Sequence, residues 1–190
     1  MRIGISAVQG AFAEHEKILD QLDIEYIELR KEEDLNTPID GLILPGGEST
    51  VQGKLLKELN MFEPMKKKIQ KGLPVLATCA GLILLAERLS NDDNSYFATM
   101  PVTVRRNAYG RQLGSFHTQA DFGNLGDIPM TFIRAPYIDT ARKDVEVLAR
   151  VDGNIVGAAY KNQIGISFHP ELDSDVRIHK MFLDKIVLSH

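Results

Sequence analysis

The sequence predicts an α/β fold, in which a mostly parallel β-sheet is flanked by helices and an antiparallel β extension follows in the second half. Short apolar segments alternate with amphipathic ones up to about residue 90, a pattern typical of parallel strands joined by right-handed helical crossovers. From Asn91 onward, strand-like segments are separated by Gly- and Asn-rich turns, which favours antiparallel pairing. At 190 residues with 44% hydrophobic content, the chain is long enough for one domain with its own core.

The first half is expected to contain four strands and four helices. The segment at 12–22 is assigned to a helix because Phe12, Ile18, Leu19 and Leu22 fall near one face, as the helical period requires. The expected strands are 2–8, 24–29, 41–44 and 74–77, and the other expected helices are 50–59, 62–71 and a last one that runs from the turn at 78–81 to residue 89.

The second half is expected to be mainly β-structure. Asp152-Gly153 between two apolar segments is a strong hairpin signal. A closing amphipathic helix is expected at 174–188, capped by Asp173 or Ser174. The expected strands are 101–106, 110–118, 130–134, 145–151, 154–160 and 163–168.

Composition argues against several classes of partner. A net charge of −4 at pH 7 does not suit a nucleic-acid-binding surface. The sequence has no run of eighteen apolar residues and no signal-peptide pattern, so we expect neither a membrane span nor secretion. A single cysteine cannot form an internal disulfide, and we therefore expect a cytoplasmic protein.

Cys79 lies in the turn of the segment PVLATCAGLILLAERL, between an expected strand and an expected helix. Such an elbow raises a side chain at the carboxyl end of a sheet, and the helix N-terminus favours a thiolate and offers free N–H groups to an oxyanion. The pattern is similar to the serine elbow G-x-S-x-G, with Ala77 in place of the first glycine. The alternative is that Cys79 is a small buried hydrophobic residue without chemistry.

His169-Pro170-Glu171 is the best candidate partner for Cys79. Residues two apart in an extended segment point the same way, and a residue before proline is biased toward extended dihedrals. Glu171 could therefore orient the His169 ring, which leaves the other ring nitrogen to act on a thiol. The alternative is a strand end followed by a solvated carboxylate. We interpret the remaining histidines as structural or surface residues: His15, His117, His179 and His190.

A Gly-rich turn, Pro45-Gly46-Gly47-Glu48-Ser49-Thr50, follows the third expected strand. Adjacent glycines free the backbone to point N–H groups at a ligand, so Gly47 is a candidate oxyanion donor together with the N–H of Ala80. Ser49 or Thr50 is expected to cap the next helix. A plain turn with a cap is the alternative, and ATP binding is discounted because the phosphate-loop pattern is missing.

Taken together, LPGGEST (44–50), TCAGLI (78–83) and SFHPE (167–171) resemble a class I, triad-type glutamine amidotransferase. With RNAYGRQ (106–112), FIRAP (132–136) and AVQGAFAEH (7–15) added, the chain is similar over nearly its whole length to the glutaminase-subunit family of pyridoxal 5′-phosphate synthase, although Val8 stands where leucine is usual. The resemblance implies that residues 1–190 form a single glutamine amidotransferase domain on a flavodoxin-like sheet.

The resemblance implies a cysteine mechanism without a metal or organic cofactor. Cys79 attacks the side-chain amide of L-glutamine, His169 protonates the departing ammonia, and Glu171 orients His169. A γ-glutamyl thioester forms and is hydrolysed, and backbone N–H groups of Gly47 and Ala80 form the oxyanion hole. The two arginines suit a carboxylate or its polar surroundings, with a surface salt bridge as the alternative for each. The positions that match the family's glutamine-binding residues are Gly47, Glu48, Ser49, Arg106, Ile133 and Arg134.

The resemblance also implies a partner, a (β/α)8-barrel synthase subunit that receives the ammonia in a large hetero-oligomer. Gln9-Gly10 and the Gly47-Glu48 peptide match segments that respond to docking, so we expect low glutaminase activity from the isolated chain. Three alternatives stay open: the glutaminase of another amidotransferase, a cysteine hydrolase on a related fold, and a redox-sensing or binding module that uses one reactive cysteine.

Overall fold

A computed structural model describes residues 1–110 and 114–189 of the chain. Within these residues the chain forms twelve strands and five α-helices. The strands are β1 (Arg2–Ser6), β2 (Glu25–Leu29), β3 (Gly41–Leu44), β4 (Val75–Thr78), β5 (Ala86–Leu89), β6 (Met100–Arg105), β7 (Ser115–Asp121), β8 (Asp127–Ile133), β9 (Tyr137–Ala141), β10 (Glu146–Val151), β11 (Asn154–Tyr160) and β12 (Gln163–Ile166). The α-helices are α1 (Phe12–Gln21), α2 (Ser49–Glu58), α3 (Phe62–Gln70), α4 (Ala80–Leu85) and α5 (Arg177–Leu188).

One sheet organises the molecule, with strand order β2-β1-β3-β4-β12-β11-β9-β6-β5 and β10 paired to β11. The pairings from β2 to β12 are all parallel, whereas β11 runs antiparallel to β12, β9 and β10. Strands β7 and β8 form a separate antiparallel hairpin. The predicted fold class, a largely parallel sheet with an antiparallel extension, is confirmed.

Helices cover both faces of the sheet. Leu56 of α2, Met65 of α3 and Leu82 of α4 belong to one apolar cluster, and Leu19 of α1 and Phe182 of α5 belong to the other. The β7–β8 hairpin packs on the second cluster through buried aromatic side chains. Among the described helices, none combines the length and apolar character that crossing a membrane requires.

The helix after the elbow is shorter than predicted. It ends at Leu85 instead of residue 89, and residues 86–89 form strand β5, which pairs with β6. The backbone N–H groups of Phe97 and Thr99 donate to the carbonyls of Leu84 and Leu85, at 2.9 and 3.0 Å. These carbonyls would accept the next bonds of a continuing helix, so the competing donors end it. An apolar run does not reveal such competition.

Three further differences concern the second half. The closing helix begins at Arg177 rather than residue 174, because Asp173 instead accepts from Thr131 Oγ1 at 3.1 Å and residues 170–172 form a 3₁₀ turn. Strand β9 was not predicted, since it buries only Ile138 and carries little apolar signal. Part of the predicted strand 110–118 lies outside the described residues, and β7 begins at Ser115.

Candidate active site

Cys79 lies in a strand-to-helix elbow between β4 and α4. Its backbone has φ 48° and ψ −102°, a conformation that non-glycine residues rarely adopt and that recurs at nucleophile elbows. Its N–H donates to the carbonyl of Ile166 on β12, at 2.8 Å. A Cβ added at Gly81 would lie 2.9 Å from the carbonyl carbon of Leu44 and closer still to its oxygen. The absence of a side chain at Gly81 therefore lets α4 pack directly on β3. The elbow forms with Ala77, fully buried, in the place of glycine.

His169 follows the neighbouring strand. Strand β12 pairs in parallel with β4, with Ile166 opposite Thr78, so that both strands end at the same edge of the sheet. The N–H of His169 donates to the carbonyl of Thr131, at 2.8 Å. Its Nδ1 lies 2.6 Å from Oε1 of Glu171, whose side chain is fully buried. The expectation of an extended segment is wrong for Glu171: Pro170–Leu172 is a 3₁₀ turn, yet the turn brings the carboxylate to the ring.

The charge state of His169 follows from its neighbours. Burial alone would lower the pKa of this imidazole, but hydrogen bonds to Cys79 and to Glu171 outweigh burial and raise the pKa to about 10. His169 is therefore protonated at neutral pH. With Nδ1–H directed to Glu171, the Nε2–H is left for the sulfur. The arrangement places an imidazolium N–H beside the sulfur, as the base of a cysteine nucleophile requires.

The Gly-rich loop after β3 packs against the imidazole. A Cβ added at Gly46 would lie 2.9 Å from Nδ1 of His169 and closer still to Cε1, so only glycine allows this approach. Gly47 has no acceptor for its N–H among the residues that the structure describes. The next N–H, that of Glu48, donates to Oε1 of Gln9 at 2.9 Å.

The cap of helix α2 differs from the prediction. Glu48, rather than Ser49 or Thr50, occupies the N-cap position, and its carboxylate accepts from the N–H of Thr50 at 3.4 Å. Ser49 is the first residue of the helix, and its hydroxyl is buried without a hydrogen-bond partner in the described part of the chain. A buried hydroxyl of this kind is available to a ligand.

A cavity of about 500 Å³ opens at this edge of the sheet. Its size suits a small polar metabolite. Glu171 lies behind His169 and does not line it. Nine residues that the sequence pointed to line the cavity together: Gly47, Glu48, Ser49, Cys79, Ala80, Arg106, Ile133, Arg134 and His169.

The two arginines of the cavity differ in their surroundings. The guanidinium of Arg106 donates to Glu48 Oε1 at 3.2 Å and also pairs with Asp92, so it is already engaged with carboxylates. Arg134 has a positive φ of 41° and forms no ion pair with any described residue. In the predicted motif RNAYGRQ, residues 111 and 112 lie outside the described part of the chain.

Sequence reasoning missed several residues around the site. Gln52 donates from Nε2 to the carbonyls of Gln9 and Pro45, at 3.0 and 3.2 Å, and so ties two loops together. His15 and His179 are completely buried, and His15 lies behind Glu171. Helical spacing supplied one signal, since His15 precedes Ile18 and Leu19 by three and four positions and must share their buried face.

Comparison with known proteins agrees with this geometry. A solved structure described as a glutamine amidotransferase superposes with a TM-score of 0.92 at 38% sequence identity, covering 97% of this chain and 98% of that one. The fold and the elbow cysteine thus define the glutamine amidotransferase class. The chain belongs to the SNO glutamine amidotransferase family, whose model matches residues 5–188.

Two relatives carry a more specific name. A protein of Desulfitobacterium hafniense, named pyridoxal 5′-phosphate synthase subunit PdxT, is 68% identical over 98% of this chain and 94% of its own length. A protein of Streptococcus pneumoniae with the same name is 54% identical over 97% of this chain and 96% of its own length. The chain is therefore similar to PdxT subunits from end to end.

Proposed function

We propose that this chain is the glutaminase subunit of a pyridoxal 5′-phosphate synthase. It hydrolyses L-glutamine to glutamate and ammonia and delivers the ammonia to a synthase subunit for vitamin B6 biosynthesis. The observation that carries the proposal is the buried set Cys79, His169 and Glu171 beside a cavity whose lining matches the expected glutamine residues. Identities of 68% and 54% to PdxT subunits support the pathway.

Acylation begins from the thiolate–imidazolium pair. Cys79 Sγ attacks Cδ of the glutamine side chain, and the carbonyl electron pair moves onto oxygen. The N–H groups of Gly47 and Ala80 stabilise this oxyanion, in keeping with the acceptor-free N–H of Gly47 and the first-turn position of Ala80 on α4. His169 gives its Nε2 proton to the leaving nitrogen, the C–N bond breaks, and ammonia departs from a γ-glutamyl thioester.

Deacylation reverses the roles of the same groups. His169, now neutral at Nε2, takes a proton from water as the oxygen attacks the thioester carbon. The second tetrahedral intermediate expels the Cys79 thiolate, and glutamate leaves. Throughout both steps Oε1 of Glu171 accepts from the Nδ1–H of His169, with 2.6 Å between Nδ1 and Oε1. This bond keeps Nε2 of His169 directed to the sulfur and stabilises the imidazolium.

Recognition of glutamine is assigned to the remaining lining residues. Arg134, without an ion-pair partner in the described chain, suits the α-carboxylate. Glu48 suits the α-ammonium, with Arg106 bonded to it at 3.2 Å. The buried, unpartnered hydroxyl of Ser49 supplies a further polar contact, and Ile133 lines the same cavity.

The partner of the proposed subunit is a (β/α)8-barrel synthase in a large hetero-oligomer. The Ala11 N–H donates to the Gly46 carbonyl and the Glu48 N–H donates to Gln9 Oε1, both at 2.9 Å, so the peptide that carries the Gly47 N–H is tied to the segment that docking is expected to move. Such coupling supports low activity in the free chain and higher activity in the complex. A single reactive thiolate also suits a reducing compartment, on which ground we assign the protein to the cytoplasm.

Glutamate release from L-glutamine tests the proposal. The purified chain is assayed alone and with the barrel synthase, beside Cys79→Ala as the matched control. We expect activity that rises in the presence of the synthase and is abolished in the variant. Activity indifferent to the synthase would assign the glutaminase to another pathway. No glutamate in either condition would overturn the glutaminase function and direct attention to a cysteine hydrolase or a redox sensor.

A further inference from the structure

Two buried histidines lie behind the triad and have no part in the reaction described so far. His15 on α1 and His179 on α5 are both 0% exposed. Nδ1 of His15 lies 2.9 Å from Nε2 of His179. Burying polar rings from two helices is costly unless their hydrogen bonds are satisfied, so this pair calls for a reason beyond packing.

The second oxygen of Glu171 supplies that reason. Oε1 accepts from His169, whereas Oε2 is buried with no hydrogen-bond partner among the described residues. Nε2 of His15 faces Oε2 at 3.7 Å and lies 3.3 Å from the hydroxyl of Thr78, the residue before the nucleophile. The 3.7 Å contact is longer than a formed hydrogen bond. Catalytic contacts of this kind are often long before substrate binds and shorten when it does.

The hydrogen bonds available to His15 and His179 favour one tautomer of each ring. If His15 carried its proton on Nδ1, it would donate to Nε2 of His179, and its bare Nε2 would face the carboxylate of Glu171. The proton of His179 would then be on Nδ1, which is buried without a hydrogen-bond partner in the described chain. If the proton is on Nε2, His15 accepts at Nδ1 from the Nε2–H of His179, and its own N–H lies between Thr78 Oγ1 at 3.3 Å and Glu171 Oε2 at 3.7 Å. This second arrangement leaves acceptors but no donor unpaired, namely Nδ1 of His179 and, until the 3.7 Å contact shortens, Oε2 of Glu171. It costs less than the first arrangement, which buries an unpaired N–H on His179 and turns a bare nitrogen of His15 toward the carboxylate.

We propose that His15 is a positioning residue of the triad, which holds the carboxylate of Glu171 through its Nε2–H, and that His179 fixes the tautomer of His15. The row of contacts then runs Cys79, His169, Glu171, His15, His179. This inference rests on the proposed glutaminase function. Neither histidine lines the cavity, so the pair acts on the chemical steps and not on glutamine binding.

Both histidines are neutral, as this role requires. Burial chiefly, and then the charges of His179 and His169, lower the pKa of His15 well below its ordinary value. Burial lowers the pKa of His179 to about 4. A neutral donor orients the carboxylate without cancelling the negative charge that stabilises the His169 imidazolium.

The test compares three variants in glutamate release by the complex with the synthase. His15→Leu removes the donor, and we expect kcat to fall about tenfold or more with KM for glutamine nearly unchanged. His15→Gln places an amide N–H near the position of Nε2 and should recover most of kcat. Ile18→Ala, at a buried site one turn further along α1, is the matched control for lost packing. It should lower the melting temperature without lowering kcat.

A second readout uses the free chain. Alkylation of Cys79 by iodoacetamide at neutral pH reports the thiolate, and His15→Leu should slow it while Ile18→Ala does not. Unchanged kcat in His15→Leu would overturn the inference. An equal loss of kcat in His15→Gln and His15→Leu would overturn it too, since packing alone would then explain both. The Cys79→Ala control tests the glutaminase function separately, because it needs only the wild-type activity as its reference.

Discussion

Replacing Gly46 by alanine should disable the proposed triad of Cys79, His169 and Glu171 while leaving the fold intact. The added methyl group would lie 2.9 Å from Nδ1 of His169 and closer still to Cε1, whereas ordinary contact begins at 3.4 Å. The imidazole must therefore retreat by about 1 Å at Cε1. A displacement of that size in a reacting group costs about 100-fold in rate, which corresponds to about 2.7 kcal/mol of transition-state stabilisation. The Nδ1–Oε1 bond of 2.6 Å is lost or distorted at the same time.

Glutamate release by the complex with the synthase measures this effect. We expect kcat of Gly46→Ala to fall about 100-fold, with a modest change in melting temperature. Gly53→Ala is the matched control, because its added Cβ would lie 2.5 Å from Cδ1 of the Tyr96 ring, outside the cavity. The control should lose stability and keep kcat. The reasoning is refuted if Gly46→Ala keeps kcat within about threefold of the wild type, since the imidazole would then not need its observed position.

Two further predictions concern stability. Gly81→Ala forces a Cβ to 2.9 Å from the carbonyl carbon of Leu44 and should lower the free energy of unfolding by about 1–3 kcal/mol. Urea titration measures this free energy, and an unchanged midpoint would contradict the close packing of α4 on β3. The pKa of His179 is lowered from 6.5 to about 4 in the folded protein. Between these pH values the unfolded chain therefore binds more protons at this residue than the folded chain does. The contribution of His179 to the free energy of unfolding is complete above pH 6.5 and falls as the pH drops toward 4. For His179 alone, this loss of unfolding free energy is up to about 3 kcal/mol. His179→Leu should therefore flatten the pH dependence of the unfolding free energy. An equally steep dependence in the variant would show that another group is responsible.

Local sequence signals predicted the parallel half of the fold well. Strand β3 was predicted with the bounds that the structure has, and helix α1 was predicted to within a residue. Helix α1 has a regular apolar period, whereas β3 is a short continuous apolar run, and turn residues bound both segments. The hairpin of β10 and β11 was equally well marked by Asp152-Gly153.

The errors came from long-range competition. Nothing in the run from Ala80 to Leu89 indicates that Phe97 and Thr99 will take the carbonyls that a longer helix needs. The cap of α2 also involves a distant contact, since Gln9 holds the N–H of Glu48, the residue that takes the position which Ser49 or Thr50 was expected to fill. These outcomes depend on which donor reaches which acceptor in three dimensions, and a one-dimensional pattern does not contain that information.

Site residues were predicted in two different ways. Cys79 and the His169–Glu171 pair follow from chemical types in a recognisable local context, whereas Arg106, Ile133 and Arg134 came from the family resemblance. The role proposed for His15 follows from neither, because a lone histidine on an apolar helix face is typical of a core residue. The proposal depends on the sheet order, which brings α1 and the end of β12 to the same place.

The proposed triad and the proposed oxyanion hole are held in place by different kinds of contact, and we expect this difference to matter for control by a partner. The triad half rests on paired strands, since the Cys79 N–H is bonded to β12 and His169 follows that same strand. The backbone at Cys79 is costly, by about 1–3 kcal/mol, and only a rigid frame maintains it. The proposed oxyanion half rests on contacts between two loops, because the Ala11 N–H donates to the Gly46 carbonyl at 2.9 Å and Gln9 accepts from the Glu48 N–H. Isolated hydrogen bonds between loops open far more easily than the ladder of a paired sheet. We therefore expect that docking of the proposed synthase partner would act on the Gly46–Glu48 loop while Cys79 and His169 stay in place.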